Sequence, residues 1–291
     1  KPIEIYKTRN KKYRVNDGNS TFAVAKKNGW ETIYATVVPN PNVTKRAEKS
    51  TFAIAKEIRK AGESWSDAVK RVKEGVRGII QKSNGFNIDQ VLFVGGNDIL
   101  HIDTPKRLTT SGTPQDTDGM WYENFMTAKK LYIDVLETLM SVADVHFVYN
   151  PSNHDYISGF MLSDSIQSWF RKSKNITFDC SIAHRKGFKY GQNLIGTTHG
   201  DGAKLADLPL IMANEFSREW ADTKHRYVYT HHIHHKSSKD YHGITVESLR
   251  SPSGSDSWHH RKGYGVGGIK AVEGFIHSKD HGQVARLTHI F

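Results

Sequence analysis

With 37% hydrophobic and 24% charged residues over 291 positions, and no apolar run near the roughly 20 residues of a membrane span, the chain has the composition of a soluble globular protein. Cys180 is the only cysteine, which excludes an intramolecular disulfide, and no cleavable apolar leader is visible, so we expect a cytoplasmic location without a membrane partner. The formal charge of +11 suits a polyanion such as nucleic acid, although excess Lys and Arg also serve simply to keep a surface solvated.

The first predicted elements are a basic lead-in and a buried strand. Residues 1–30 are basic and polar, and we expect one or two short strands there. Residues 32–38 are a β-branched run that ends at Pro39, which is typical of a buried strand leading into a loop. We expect residues 31–291 to form a single domain, because no internal repeat or low-complexity linker interrupts them.

Two helices are predicted next, one over residues 50–60 and one that begins at Ser64 with Asp67 close to a capping-box position. The second helix has an apolar face made of Trp65, Ala68, Val69, Val72, Val76, Ile79 and Ile80. Its opposite face carries Lys70, Arg71, Lys73 and Arg77. This basic face fits a solvated surface better than a DNA-facing one.

Strands and helices then alternate. The predicted strands cover residues 90–94, 145–149, 176–180, 188–190, 194–197 and 226–229, and the predicted helices cover residues 122–142, 156–171 and 203–221. Residues 103–121 are polar and turn-rich, and loops of this length in compact domains are often functional. The tail has strands at 244–249 and within 271–291, with a hairpin turn at 278–282. The order of elements predicts an α/β sheet sandwich.

Four short segments rich in metal-ligand residue types come directly after predicted strands. They are residues 95–101, 152–155, 198–201 and 229–236, and the last contains four histidines in five residues. Ligands of open α/β sheets bind beyond the carboxyl ends of strands, and imidazole is the commonest metal ligand among side chains. Each segment alone is also explained by turn chemistry or surface histidines, but their common placement predicts one metal site.

The residue types in these segments suit a pair of divalent ions. Two ions about 3.5–4 Å apart stabilise both the attacking and the leaving oxygen of a phosphoryl displacement. Asp98 offers a carboxylate that can bridge the ions, and His154 is placed to donate a hydrogen bond near the leaving group. The neutral ligands on offer are Asn153, His199, His232 and His234.

In chain order, Gly-Asn-Asp98, Asn153-His154-Asp155, His199 and His232-Ile-His234 resemble the motif series of the calcineurin-like metallophosphoesterases. The resemblance spans about residues 32–235, and residues 109–116 and 256–258 resemble a phage-encoded branch related to DNA repair exonucleases. It implies two packed mixed β-sheets flanked by helices, a four-layer αββα sandwich, with a dinuclear centre at one end.

The resemblance also implies a role for each residue. Asp98 would bridge the ions, Asn153, His199 and His232 would complete the second ion's shell, His234 would reach the first ion, and His154 would polarise or protonate the leaving oxygen. His231 and His235 would orient or contact substrate, with a solvated surface as their alternative. His101 would contact phosphate or join the ligands.

One motif departs from the family pattern. The Asp-x-His motif expected after the first strand falls on Asn40 and Asn42, which supply no negative charge and only a weak replacement for imidazole. The site would then bind one ion tightly and the other weakly, or belong to a degenerate enzyme. A third interpretation is a misplaced motif, although Asp17, the nearest upstream aspartate, lies in a polar, Gly-flanked context.

We therefore expect a metal-dependent phosphoesterase, foremost a phosphodiesterase or nuclease that acts on DNA with two divalent ions. Mixed His, Asn and carboxylate ligands favour Mn²⁺, with Fe or Zn as alternatives. The competing hypotheses are a catalytically weakened nucleic-acid-binding protein that keeps one metal, a phosphomonoesterase or phosphoprotein phosphatase, and an oligomeric structural protein with incidental histidines. The oligomeric state stays open, a dimer included.

Overall fold

The computed structural model describes residues 3–7, 13–17, 35–37, 65–253 and 269–291. The chain divides into two compact units, Lys1–Gly62 and Glu63–Phe291. The predicted domain boundary near residue 30 falls inside the first unit and stays a prediction.

The described part of the first unit is a small sheet. Its strands are β1 (Ile3–Lys7), β2 (Tyr13–Asp17) and β3 (Ala35–Val37). Strand β1 lies in the middle, antiparallel to β2 and parallel to β3. The short strands predicted in the lead-in and the strand predicted at 32–38 are thus confirmed. The predicted helix at 50–60, Asn40 and Asn42 lie outside the described residues.

The second unit begins with helix α1 (Trp65–Lys82) and continues as alternating strands and helices. These are β4 (Gln90–Gly96), α2 (Trp121–Met140), β5 (Asp144–Asn150), α3 (Tyr156–Trp169) and β6 (Ile176–Asp179). The three strands pair in parallel in the order β4-β5-β6, which places the carboxyl ends of β4 and β5 side by side at Gly96 and Asn150.

One hydrophobic core lies between this parallel sheet and its helices. Helix α2 buries apolar residues at helical spacing, and these are Ala128, Leu131, Tyr132, Val135, Leu136 and Leu139. They pack with Phe147 of β5 and with Leu162 and Ile166 of α3. The predicted apolar face of α1 contributes Val76 to the same core.

The basic face of α1 is not simply solvated, in contrast to the prediction. The Lys73 ammonium pairs with the Asp134 carboxylate of α2, and Arg71 Nε donates to the carbonyl oxygen of Pro252 at 2.7 Å. Both cations therefore join elements of the second unit.

A second sheet follows in the chain. Its strands are β7 (Arg185–Tyr190), β8 (Asn193–Thr198), β9 (His225–Thr230), β10 (Ser237–Tyr241) and β11 (Ile244–Ser248). The order is β10-β11-β9-β8-β7, with β8, β9 and β11 parallel and the outer two strands antiparallel to their neighbours. Strand β10 was missed by the sequence analysis because its four leading residues are polar and exposed.

The single helix predicted over 203–221 is wrong. Two short helices, α4 (Leu208–Glu215) and α5 (Ser217–Ala221), meet at Phe216, whose φ of −117° and ψ of 43° leave the helical region. The Phe216 ring lies against Gly187 of β7, where an added Cβ would approach Cδ1 to 2.6 Å. Packing of this ring onto the sheet thus interrupts the helix.

The tail is a hairpin of β12 (Ala271–Ser278) and β13 (Gly282–Ile290), which confirms the predicted turn at 278–282. It packs closely on α1, because Gly75 and Gly78 of that helix leave room for the side chains of Val272 and His289. A larger residue at either glycine would displace the hairpin.

The two larger sheets of the second unit contact each other and carry helices on their outer faces. The rings of His146 (β5) and Phe188 (β7) stack with centroids 5.2 Å apart. Helix α4 covers the second sheet through Leu208 and Met212, which pack on Val228. The predicted α/β class, with several sheets flanked by helices, is confirmed. In the described parts of the chain, no helix is both long and apolar enough to cross a membrane.

His277 of β12 gives this unit a predicted sensitivity to acid. Its Nε2 lies 3.2 Å from the Tyr229 hydroxyl, and burial lowers the pKa of its imidazole to about 4. In the unfolded chain the pKa is about 6.5, so the unfolded state takes up the proton first as the pH falls. His277 therefore does not change the free energy of unfolding above about pH 6.5. It lowers that free energy progressively as the pH falls from 6.5 toward 4.

We expect His277 to cost the wild type roughly 2 kcal/mol of unfolding free energy between pH 7.5 and pH 5. Urea unfolding at both pH values measures this for the wild type, His277→Gln and His281→Gln. The His281 variant is the matched control, because that residue is exposed in the turn of the same hairpin. A smaller pH dependence in His277→Gln alone is the expected result, and identical pH dependence in all three proteins would contradict it.

Candidate metal centre

The four segments singled out in the sequence meet at one edge of the second unit. Asp98 follows β4, Asn153 follows β5, His199 follows β8 and His232 follows β9. The two sheets are joined at this edge by a hydrogen bond from Asn150 Nδ2 to Thr197 Oγ1, at 2.7 Å. Pairs of neighbouring parallel strands from two contacting sheets thus deliver all four side chains to one place.

The centre of the cluster is the Nε2 atom of His199, whose side chain is 1% exposed. Asp98 Oδ2, Asn153 Oδ1 and His232 Nδ1 each lie 3.1 Å from it. An imidazole nitrogen carries at most one hydrogen, so it cannot donate to three acceptors. The arrangement therefore concentrates more lone pairs than the protons present can satisfy.

The other ring nitrogen of His199 shows where its proton lies. Nδ1 is 3.3 Å from Oδ1 of Asn97, whose amide Nδ2 is directed to the Gly95 carbonyl oxygen at 3.5 Å. Since the Asn97 oxygen can only accept, Nδ1 carries the hydrogen and Nε2 presents its lone pair to the cluster. A backbone or side-chain acceptor behind a histidine is the usual support of a metal ligand.

These atoms fit one divalent cation. Ligand nitrogen and oxygen atoms lie about 2.0–2.2 Å from such ions, which places neighbouring ligands about 3.0–3.5 Å apart. The ligand atoms of Asp98, His199 and His232 all lie within 4.8 Å of one another. A donor set of two imidazoles, one carboxylate and the Asn153 amide oxygen suits Mn, Fe or Zn better than Mg.

The electrostatics of the cluster favour the protonation states that a metal needs. Burial raises the pKa of the Asp98 carboxyl, but when His199 is protonated its hydrogen bond and charge outweigh burial and hold that pKa below its usual range. Burial, reinforced by His199, lowers the pKa of His232 and brings that of His231 to about 3. An ionised carboxylate and neutral imidazoles are the forms that coordinate.

The backbone that carries Asp98 is a left-handed turn. The φ angles of Asn97, Asp98 and His101 are 58°, 66° and 63°. Asn and Asp adopt this region more readily than other residues with a Cβ, which suits the first two positions. The turn bends the chain after β4 so that the Asp98 side chain points to His199.

His154 and His101 form a pair beside the cluster. Their Nδ1 atoms are 3.1 Å apart and their ring centroids 5.0 Å apart. The backbone N–H of His154 donates to Asp98 Oδ1 at 3.3 Å, so the pair is attached directly to the metal-type carboxylate. Because Nδ1 of His154 faces His101, its Nε2 is the nitrogen left to meet a substrate.

The remaining predicted residues lie around this centre. Nε2 of His231 is 3.3 Å from Thr197 Oγ1, and His235 is exposed with its Nδ1 2.8 Å from the Ile233 carbonyl oxygen. His234 has a φ of 57° and donates its N–H to the His231 carbonyl oxygen at 3.2 Å. Among the described residues it does not belong to the group of Asp98, His199 and His232. Asn40 and Asn42 fall in the part of the chain that is not described.

Sequence reasoning missed the residues that support the cluster. Asn97 holds the His199 ring, and Ser152 accepts the Asp98 N–H at 3.0 Å. Asp155 is fully buried, and burial together with the Asp98 charge raises its pKa to about 7. All three lie inside the segments already noted, but sequence alone shows no partner for them.

Two solved structures align with this chain at low similarity. No family model matches the chain, and no curated protein matches it. A novel archaeal phosphodiesterase aligns at 11% identity over 70% of this chain and 100% of that chain, with a TM-score of 0.31. Vps29 of Entamoeba histolytica, solved with Zn²⁺, aligns at 11% identity over 69% of this chain and 97% of its own, with a TM-score of 0.32. Identities and TM-scores this low assign no function to this chain.

Two histidines of the same segment allow a matched test of the metal centre. We expect His232→Ala to lower the affinity for Mn²⁺ by at least tenfold, because a ligand nitrogen is lost at the centre of the cluster. We expect His235→Ala to leave the affinity within about twofold, because that ring is directed to the Ile233 carbonyl oxygen. Isothermal titration of the three proteins with MnCl₂ measures both, and equal affinities would contradict the assignment.

Proposed function

We propose that this protein is a metal-dependent phosphoesterase, specifically a phosphodiesterase or nuclease that acts on DNA. The observation that carries the proposal is the convergence of Asp98, Asn153 and His232 on His199 Nε2, each at 3.1 Å. Lone pairs gathered in this way call for a cation. An acid–base pair of histidines lies directly beside them, which is the composition of a phosphoryl-transfer site.

The residues of the site would have separate roles in catalysis. A bound divalent ion would polarise a phosphoryl oxygen and lower the pKa of water, which supplies a nucleophile at neutral pH. Asp98, Asn153, His199 and His232 would hold that ion. Nε2 of His154 would donate to the leaving oxygen, and His101 would fix the orientation of the His154 ring through the 3.1 Å contact between their Nδ1 atoms.

We propose a second ion at the neighbouring position, with Mn²⁺ at both and Fe or Zn as alternatives. Asp98 would bridge the two ions, and His234 would belong to the ion at the neighbouring position. Beyond Asp98, His234 is the ligand that we propose there, so this ion would bind more weakly than the ion held by His199 and His232. A protein that binds the ion held by His199 and His232 but lacks turnover would be the nucleic-acid-binding alternative.

DNA is favoured as the substrate by charge. The chain carries a formal charge of +11, and Lys106 and Arg107 are exposed on the loop after His101. Phosphodiester backbones attract such surfaces in a salt-dependent way. Assays at low and high salt with DNA and with a phosphomonoester such as p-nitrophenyl phosphate separate the substrate classes, and turnover of the phosphomonoester alone would assign a phosphatase.

His154 offers the sharpest test of turnover. We expect His154→Ala to reduce Mn²⁺-dependent cleavage of DNA by at least about 100-fold, because general acid catalysis contributes 10²–10⁴-fold. Mn²⁺ affinity should persist, since the His154 ring is not among the ligands. His242→Ala, in the exposed turn between β10 and β11, is the control and should cleave like the wild type. Unchanged cleavage by His154→Ala with Mn²⁺ present would overturn the assignment.

A further inference from the structure

We infer that Asp155 is a positioning residue that acts through Ser152 to hold the Asp98 turn in the shape that the metal centre needs. This inference rests on the proposed function, because it concerns the same centre. Asp155 is 0% exposed and lies at the start of α3. Its Oδ2 accepts the Leu100 N–H at 2.7 Å, and its Oδ1 accepts the Ser152 hydroxyl hydrogen.

Ser152 links the Asp155 carboxylate to the backbone of Asp98. A serine hydroxyl has one hydrogen, and that hydrogen goes to Asp155, so the lone pairs of Oγ face the other way. One of them accepts the backbone N–H of Asp98 at 3.0 Å. The Asp155 carboxylate therefore fixes the turn at two points, directly at Leu100 and through Ser152 at Asp98.

The loops that carry Asp98 and Asp155 constrain each other. Asp98 Oδ1 accepts the N–H of His154 at 3.3 Å, while Asp155 Oδ2 accepts the N–H of Leu100. Each carboxylate thus accepts a backbone hydrogen from the other's loop. The loops after β4 and β5 are locked together by these bonds, and both the bridging carboxylate and His154 depend on the lock.

The turn needs such support because of its backbone. Of the five residues from Asn97 to His101, three have positive φ angles, and all three carry a Cβ. Left-handed conformations are strained for such residues and persist only where surrounding contacts hold them. The hydrogen bonds to the N–H groups of Asp98 and Leu100 lie inside this stretch.

The common role of an Asp at a helix start does not account for Asp155. It occupies the N-cap position of α3 but makes no capping hydrogen bond with its side chain. The N–H groups of Ile157 and Ser158 in the first turn are instead satisfied by Asp103, at 3.1 and 2.7 Å. Asp103 caps the helix, which leaves Asp155 directed into the loop of Asp98.

Because Asp155 and Asp103 have separate roles, variants at the two positions can be compared directly. Asp155→Asn and Ser152→Ala interrupt the connection to Asp98. Asp103→Ala instead removes the cap of the same helix, together with the hydrogen bonds from the Ser158 and Thr110 hydroxyls. We expect the first two to lower Mn²⁺ affinity 10- to 100-fold, the usual effect of losing a residue behind a metal ligand. We expect Asp103→Ala to lower the melting temperature of the metal-free protein while its Mn²⁺ affinity stays within about twofold of the wild type.

Titration calorimetry with MnCl₂ and thermal unfolding without metal measure both quantities. If the wild type binds Mn²⁺ and both Asp155→Asn and Ser152→Ala bind it equally well, the inference is overturned and the proposed function stands. Affinity lost equally in Asp103→Ala would also overturn it, since a loosened helix start would then explain the effect. A wild type without Mn²⁺ affinity overturns both proposals. Should Asp155→Asn fail to fold, Ser152→Ala decides, because it removes one hydroxyl only.

Discussion

The gathering of lone pairs around one imidazole nitrogen is the constraint on which the site depends. His199 is buried, its Nδ1 hydrogen is directed to Asn97, and three further ligand atoms lie 3.1 Å from its Nε2. Lone pairs this close to one another repel, so the cluster favours a compensating positive charge. A divalent cation supplies that charge and converts mutual repulsion into coordination.

The architecture of the second unit makes this cluster possible. Adjacent parallel strands end at the same edge, so β4 with β5 and β8 with β9 each deliver a pair of loops. Contact between the sheets, including the Asn150–Thr197 hydrogen bond, brings the two pairs together. The left-handed turn at Asp98 completes the approach, and the hydrogen bonds from Ser152 and Asp155 keep it in place.

Much of this arrangement could be predicted from sequence because strand ends and ligand types are local signals. The β-branched runs located the strands, and the segments around Asp98, Asn153, His199 and His232 followed from their residues. The support of these residues could not be predicted, since Asn97, Ser152 and Asp155 acquire their partners only through tertiary contact. The break at Phe216 was missed for the same reason, because the ring that interrupts the helix packs on Gly187 of a distant strand.

The most direct test is an anomalous difference map from crystals grown with Mn²⁺. The account predicts a strong peak about 2.0–2.3 Å from four atoms: Asp98 Oδ2, Asn153 Oδ1, His199 Nε2 and His232 Nδ1. A weaker second peak is expected on the other side of Asp98, toward His234. A map with no peak among those four atoms, or with Mn²⁺ bound elsewhere only, would contradict the metal centre and the function proposed from it.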